Sequence, residues 1–254
     1  MKEKELFGQR LKDLADQSFK NNKFTYTSFL SEGELSDYYL LEKELKFASP
    51  SVWGGRENAD RVMVRFGDAD AFGFEEGFPI VMLEISPLNV KFSDDFTHRD
   101  FLGALMNLGI ERNTLGDILV NSKKGFIFCK ESVSEYIKEN LTKVKHTTVL
   151  VKETNELDEE FKPVFDEKIV QVASERIDAV ISKVYNLSRN SSNELFRTGK
   201  VFVNSRECTS NSYELKTGDV ISVRGFGKMI FEGSVGLSKK GKSNVKVSVY
   251  GTRK

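Results

Sequence analysis

The run Glu175–Arg206, E-R-I-D-A-V-I-S-K-V-Y-N-L-S-R-N-S-S-N-E-L-F-R-T-G-K-V-F-V-N-S-R, is followed at Leu215–Lys228 by L-K-T-G-D-V-I-S-V-R-G-F-G-K. Arg176, Ile177, Val180, Ile181 and Val184 recur at helical spacing, and Asn186-Leu187-Ser188 ends that helix. Ser188 then caps a second helix over Arg189–Thr198, which Gly199 stops. Lys200–Asn204 alternates as a strand, Gly218-Asp219 reads as a turn, and Val220–Val223 as the next strand; Ile169–Ala173 can pair with them. Two helices against a small sheet would leave Arg176, Lys183, Arg189, Arg197, Lys200, Arg206, Arg224 and Lys228 to ring one surface.

The charge distribution agrees with that reading. The 254 residues have a formal net charge of zero, yet 168–254 hold 16 Lys+Arg against 7 Asp+Glu, a net of +9. Residues 1–167 hold 22 against 31, a net of −9. A basic third is the footprint of polyanion binding. Guanidinium forks bind phosphate oxygens bidentately, and a Ser188-capped helix start offers backbone N–H groups to an anion. Structured RNA is read by shape and backbone, which suits such an array. Beyond Lys228, Met229–Val235 and Asn244–Tyr250 are strand-like and flank Gly236–Ser243, G-L-S-K-K-G-K-S. This matches the P-loop spacing, but a P-loop must open a helix, and N-V-K-V-S-V-Y-G alternates like a strand. A basic hairpin tip presenting Lys239, Lys240 and Lys242 to RNA phosphates fits better.

Upstream, residues 4–20 read as a helix, and Ser31 with Glu34 forms a capping box before a second helix. Arg61–Gly67 alternates as a strand, and Asp68–Gly77 looks like a loop. From Pro79 the order is strand (79–86), helix (97–108), strands (115–120, 125–129), helix (132–141) and strand (147–152), a split βαββαβ arrangement. Glu153–Glu160 is an acidic linker. The expectation is an α+β protein of three small domains: an α+β N-terminal domain (1–77), an RRM/ferredoxin-like domain (78–156) and a C-terminal RNA-binding module with a basic hairpin (167–254).

Within the middle domain, K-G-F-I-F-C at 124–129 partly matches the RRM stacking strand, with Phe126 and Phe128 on one face as secondary base-stacking candidates. Packing of both rings inside the protein is the preferred alternative. Catalytic and metal candidates are thin. His98 and His146 lack ligands at metal spacing, and the carboxylate clusters 68–76 and 94–95 fall in loops. No cofactor is expected. Two distant cysteines, Cys129 and Cys208, suggest a reducing cytoplasm, and neither a membrane span nor a signal peptide is read from the sequence.

The C-terminal pattern resembles the S4 RNA-binding module. That resemblance puts RNA contacts at Arg176 and Asp178, at the S-R pair Ser188-Arg189, at Asn204 of V-x-V-N and at Arg224 of V-R-G. Two departures stand out: Leu195-Phe196 replaces two aliphatics, and Val203-Asn204-Ser205-Arg206 replaces V-N-G. A further run, H-R-D-F-L-G-A-L-M-N-L-G-I-E-R at 98–112 followed by Leu115-Gly116-Asp117-Ile118, is specific. With the domain order it makes nearly the whole chain resemble the YlmH family of bacterial S4-domain proteins, associated with cell division and ribosome-associated quality control. The resemblance implies a non-enzymatic protein binding rRNA or tRNA on the 50S subunit beside a stalled peptidyl-tRNA. The alternatives are an RNA-modifying enzyme that uses S4 for delivery, and an interaction scaffold whose acidic N-terminal half docks a protein partner.

Overall fold

A computed structural model describes residues 2–239 and 241–251. The chain forms two compact units, one ending at Lys162 and one beginning at Pro163. In the first, helix α1 (Lys2–Asn21) is followed by β1 (Thr25–Tyr26), α2 (Glu32–Leu45), β2 (Ser51–Trp53) and β3 (Met63–Phe66). The α2 start is fixed by the expected capping box: Ser31 accepts from the Glu34 N–H, and Glu34 accepts from the Ser31 N–H at 2.8 Å. The three strands pair antiparallel in the order β1-β3-β2. Leu11, Ala15, Leu35, Tyr38, Leu45 and Phe66 bury the seam between helices and sheet.

The expected loop at 68–77 contains a helical turn, α3 (Ala69–Phe72). Asp68 is its N-cap, accepting from the Asp70 and Ala71 N–H groups, and Gly73 ends it in the left-handed region (φ 77°). These local cap bonds make a turn from a segment with too few apolar residues to show helical periodicity.

The next elements are β4 (Ile80–Pro87), α4 (His98–Asn107), β5 (Leu115–Val120), β6 (Gly125–Lys130), α5 (Glu131–Asn140), β7 (Lys143–Val144) and β8 (Thr147–Glu153). Their antiparallel sheet has the order β5-β6-β4-β8-β7, so the expected βαββαβ element order gains one short strand. Leu83, Ile85, Phe101, Leu105, Ile127 and Ile137 fill the layer between sheet and helices. The acidic segment after β8 is tied to this sheet at several points, while most of its carboxylates stay exposed. Asp158 binds Lys124 at 2.7 Å, Glu160 accepts from Asn121 at 2.8 Å, and Phe161 stacks edge-on to Phe126 at 4.8 Å.

The second unit comprises β9 (Val164–Val172), α6 (Ile177–Val184), α7 (Arg189–Arg197), β10 (Val201–Val203), β11 (Arg206–Glu207), β12 (Val220–Val223), β13 (Gly227–Leu237) and β14 (Ser243–Gly251). All pair antiparallel in one sheet, β11-β10-β12-β13-β14-β9. The first strand starts earlier than its apolar stretch because it pairs residue for residue with β14, from Val164↔Gly251 to Val172↔Ser243. The P-loop-like segment closes the β13–β14 hairpin, and no helix follows it before Gly251.

Candidate nucleic-acid interface

The candidate surface is built where β9 turns into α6. Ile177, Val180, Ile181 and Val184 of α6 are buried against the sheet, which fixes the helix and sets Arg176 at its N-cap. Asp178 holds Arg176 with a two-pronged pair, Nε to Oδ1 at 3.1 Å and Nη2 to Oδ2 at 2.9 Å, and also accepts from the Ala179 N–H. The Asp178 side chain is only 11% exposed, so the fork is anchored from inside while Arg176 keeps a face to solvent.

A tight turn brings α7 back beside this point. Asn186 takes a left-handed φ of 54°, and the Ser182 hydroxyl donates to the Leu187 carbonyl at 2.6 Å. Ser188 caps α7 by accepting from the Ser191 N–H at 3.1 Å, as the sequence predicts. Ser192, fully buried, donates to the Asp178 carbonyl at 3.2 Å and so ties the first turn of α7 to that of α6. Arg189, the first residue of α7, is thereby held near Arg176. At its far end α7 stops in a Schellman arrangement: Lys200 N–H bonds to the Leu195 carbonyl and Gly199 N–H to Phe196, with Gly199 at φ 61°.

The hairpin supplies the third wall. Pairing of Ser243 with Val172 zips the hairpin stem to the end of β9, and the Ser243 hydroxyl donates to Glu175 at 2.9 Å. Lys242 consequently sits beside the start of α6. The result is an open groove of about 380 Å³ lined by Arg176, Lys183, Arg189 and Lys242, with Asp178 the one acidic residue among the described lining. Lys183, Arg189 and Lys242 are exposed and have no ion-pair partner among the described residues. Cations gathered around a concave wall suit successive phosphates of a nucleic-acid backbone.

The other predicted contacts lie elsewhere. Arg197 is engaged by Glu194 on its own helix, Nε to Oε2 at 2.8 Å, a pair that reduces its pull on a phosphate. Lys200 and Arg224 adjoin at the ends of β10 and β12, where the Arg224 N–H bonds to the Lys200 carbonyl and its guanidinium covers Phe202 at 4.7 Å. Lys228 lies over Tyr250 at 5.7 Å, and Arg206 opens β11. Lys239 is exposed near the hairpin tip, whereas Lys240 lies outside the described residues. Asn204 has a structural task as well. Its amide donates to Asp219 at 2.8 Å and its oxygen accepts from the Val220 N–H at 2.9 Å, so the side chain fastens a turn. Phe126 and Phe128 are both buried, as the preferred reading of that strand expects, Phe126 under Phe161 and Phe128 with Phe29 and Met63, which leaves neither ring free to stack on a base.

One exposed aromatic was missed. Phe226, between Gly225 and Gly227, packs beside Tyr185 at 5.5 Å while remaining 45% exposed in the Arg224–Lys228 loop. In R-G-F-G-K the sequence points to the cations Arg224 and Lys228, and no periodicity singles out the ring between them.

In the first unit the run 98–118 has a structural task. Asp117, 5% exposed, takes the Arg56 fork and the backbone N–H groups of Asp60 and Arg61. Arg61 and Arg112 both donate to the Leu115 carbonyl, at 2.9 and 2.8 Å. Gly116 admits the Phe29 ring, since a Cβ there would stand 2.7 Å from it. Burial and the neighbouring Arg61 push the Arg112 pKa down to about 10, and burial with Arg112 pushes His98 down. Among the described residues no group of three His, Cys, Asp or Glu is placed to hold a metal, and no helix is long and apolar enough to cross a membrane.

The chain is similar in part to known proteins. The solved cell division protein ylmH from Streptococcus pneumoniae has a TM-score of 0.49 and 20% identity, covering 60% of this chain and 91% of that one. The ribosome-associated protein quality control protein P2 of Bacillus subtilis (strain 168) is 32% identical over 167 residues, 64% of this chain and 65% of that protein. Residues 74–158 match the family described as "Putative RNA-binding domain in YlmH". Over that segment the chain is similar to YlmH proteins, the family that the run 98–118 resembles.

Proposed function

We propose that this chain is a non-enzymatic RNA-binding protein that grips structured RNA through the groove at the start of α6. Its parts act as an S4-type module from 167 onward with a basic hairpin, an RRM-like domain at 78–156, and an α+β N-terminal domain at 1–77. Its target is rRNA or tRNA on the large ribosomal subunit, in quality control of stalled peptidyl-tRNA complexes, with an association to cell division. The curated relative's name supports the ribosomal setting, and the family matched at 74–158 supports RNA as the ligand.

The single observation that carries the reading is the convergence of Arg176, Lys183, Arg189 and Lys242 on one groove from α6, α7 and the β13–β14 hairpin. A merely solvated charge run has no reason to bring three separate segments together. The test is affinity for structured RNA across a salt series. Log affinity should fall linearly with log salt, and Lys183→Ala/Arg189→Ala/Lys242→Ala should reduce the slope by roughly 0.7–0.9 per phosphate contact removed. An unchanged slope would remove the groove from the binding surface.

A further inference from the structure

The β4–β8 sheet turns Ile127 and Cys129 toward its helices and Phe126 and Phe128, on the alternate positions, away from them. That outer face is covered by the chain itself: Phe161 lies on Phe126, while Phe29 and Met63 cluster with Phe128. Beside Phe128 the cover stops and leaves a recess of about 170 Å³. Trp53 and Phe78 line it with Ile80 and Met82, and Thr154 and Asn155 close one side. Gly55 lets the chain after Trp53 lie on the sheet: at φ 90°, a Cβ there would stand 2.5 Å from the Phe128 ring.

The recess has an unusual chemistry for a packing defect. Trp53, the chain's one tryptophan, is 41% exposed at the end of β2 rather than tucked inward. Neither its indole N–H nor the Asn155 carboxamide has a hydrogen-bond partner among the described residues. Among the described residues no lysine, arginine, aspartate or glutamate lines the space. A phosphate would find no cation here, and an aliphatic side chain would leave the carboxamide and the indole unanswered. A flat, uncharged ring system with donors and acceptors on its edge answers both.

We infer that this recess is a base-binding subsite, which takes one unpaired purine of a bound RNA, stacked on Trp53 with its edge hydrogen-bonded by Asn155. The inference rests on the reading of the chain as an RNA-binding protein and adds to it a place where unpaired sequence is felt. The N-terminal segment buries Phe128 with Phe29 and Met63 and supplies the Trp53 indole beside it. The purine is favoured because its larger π-face stacks more strongly on an indole.

The test uses the full chain and its single tryptophan as a local reporter. Titration with a short single-stranded oligoadenylate should quench Trp53 emission saturably, and a blunt duplex of the same length should not. Asn155→Ala, an exposed position that leaves the fold alone, should weaken oligoadenylate binding several-fold. Trp53→Leu, followed by anisotropy of the labelled oligonucleotide, should weaken it about tenfold or more. Binding of structured RNA by the groove should be unchanged in both. Should that RNA bind normally while oligoadenylate leaves Trp53 emission unchanged, or should the duplex quench equally, the subsite is overturned and the RNA-binding function stands. If neither RNA binds at all, the functional reading itself fails and the subsite falls with it.

Discussion

At the scale of single residues, Arg176 and Arg189 look alike in sequence and differ in what they support. Arg176 neutralises Asp178, whose carboxylate is nearly buried, so truncation would leave that charge without its fork. Arg176→Ala should therefore lower stability by about 1–3 kcal/mol in urea unfolding, whereas exposed Arg189→Ala should stay within about 0.5 kcal/mol. For this reason Lys183, Arg189 and Lys242 are the cleaner probes of RNA binding. Ser205 supplies a second contrast. Asn204 and Ser205 turn β10 into β11 with φ of 49° and 61°, and only Asn204 is held there by side-chain bonds. Relief of the left-handed strain by Ser205→Gly should raise stability by about 0.5–1 kcal/mol in the same assay. His98 sets a pH dependence. Burial and Arg112 lower its pKa below the ordinary 6.5, so the unfolded chain binds more protons as pH falls through that value. Its contribution is full above pH 6.5 and is lost below it, and His98→Gln should flatten that acid limb of the stability profile.

At the scale of elements, α6, its turn and α7 act as one positioning unit. Ser188 caps α7, and Ser192 binds the Asp178 carbonyl, so the cations of two helices share a fixed spacing. Ser188→Ala should cost about 1 kcal/mol and loosen RNA binding modestly, measured by unfolding and by filter binding. These elements were legible in the sequence because each is encoded locally: apolar spacing for the helices, Ser188 and Gly199 for the ends of α7, alternation for the strands. Three features were not. The turn α3 depends on bonds to the Asp68 carboxylate rather than on periodicity. Burial of Phe126 and Phe128 was expected, but the residues that cover them were not: Phe161 lies far along the chain from Phe126, and Phe29 and Met63 come from the N-terminal segment. The turn-fastening bonds of Asn204 depend on Asp219 and Val220, fifteen and more residues away in sequence. The groove itself was half legible: its cations could be named from the sequence, but sorting Lys242 into it and Lys200 and Arg224 out of it required the pairing of β14 with β9.

At the scale of the molecule, the formal charge of zero conceals the +9 of residues 168–254 and the −9 of the remainder. The basic share is concentrated in the unit that carries the groove, where long-range attraction to RNA would speed encounter and exposed cations would hold the backbone. The acidic share leaves a surface poorly suited to phosphates, on which neutral recognition such as the Trp53 recess is the compatible mode. The central claim is that the groove holds ribosomal RNA, and the most direct measurement is co-sedimentation of the purified protein with isolated 30S and 50S subunits across a salt series. Wild type should pellet with 50S in a salt-sensitive manner, and Lys183→Ala/Arg189→Ala/Lys242→Ala should remain in the supernatant at salt concentrations where wild type still binds. Binding to 50S that the triple variant retains in full would contradict the account.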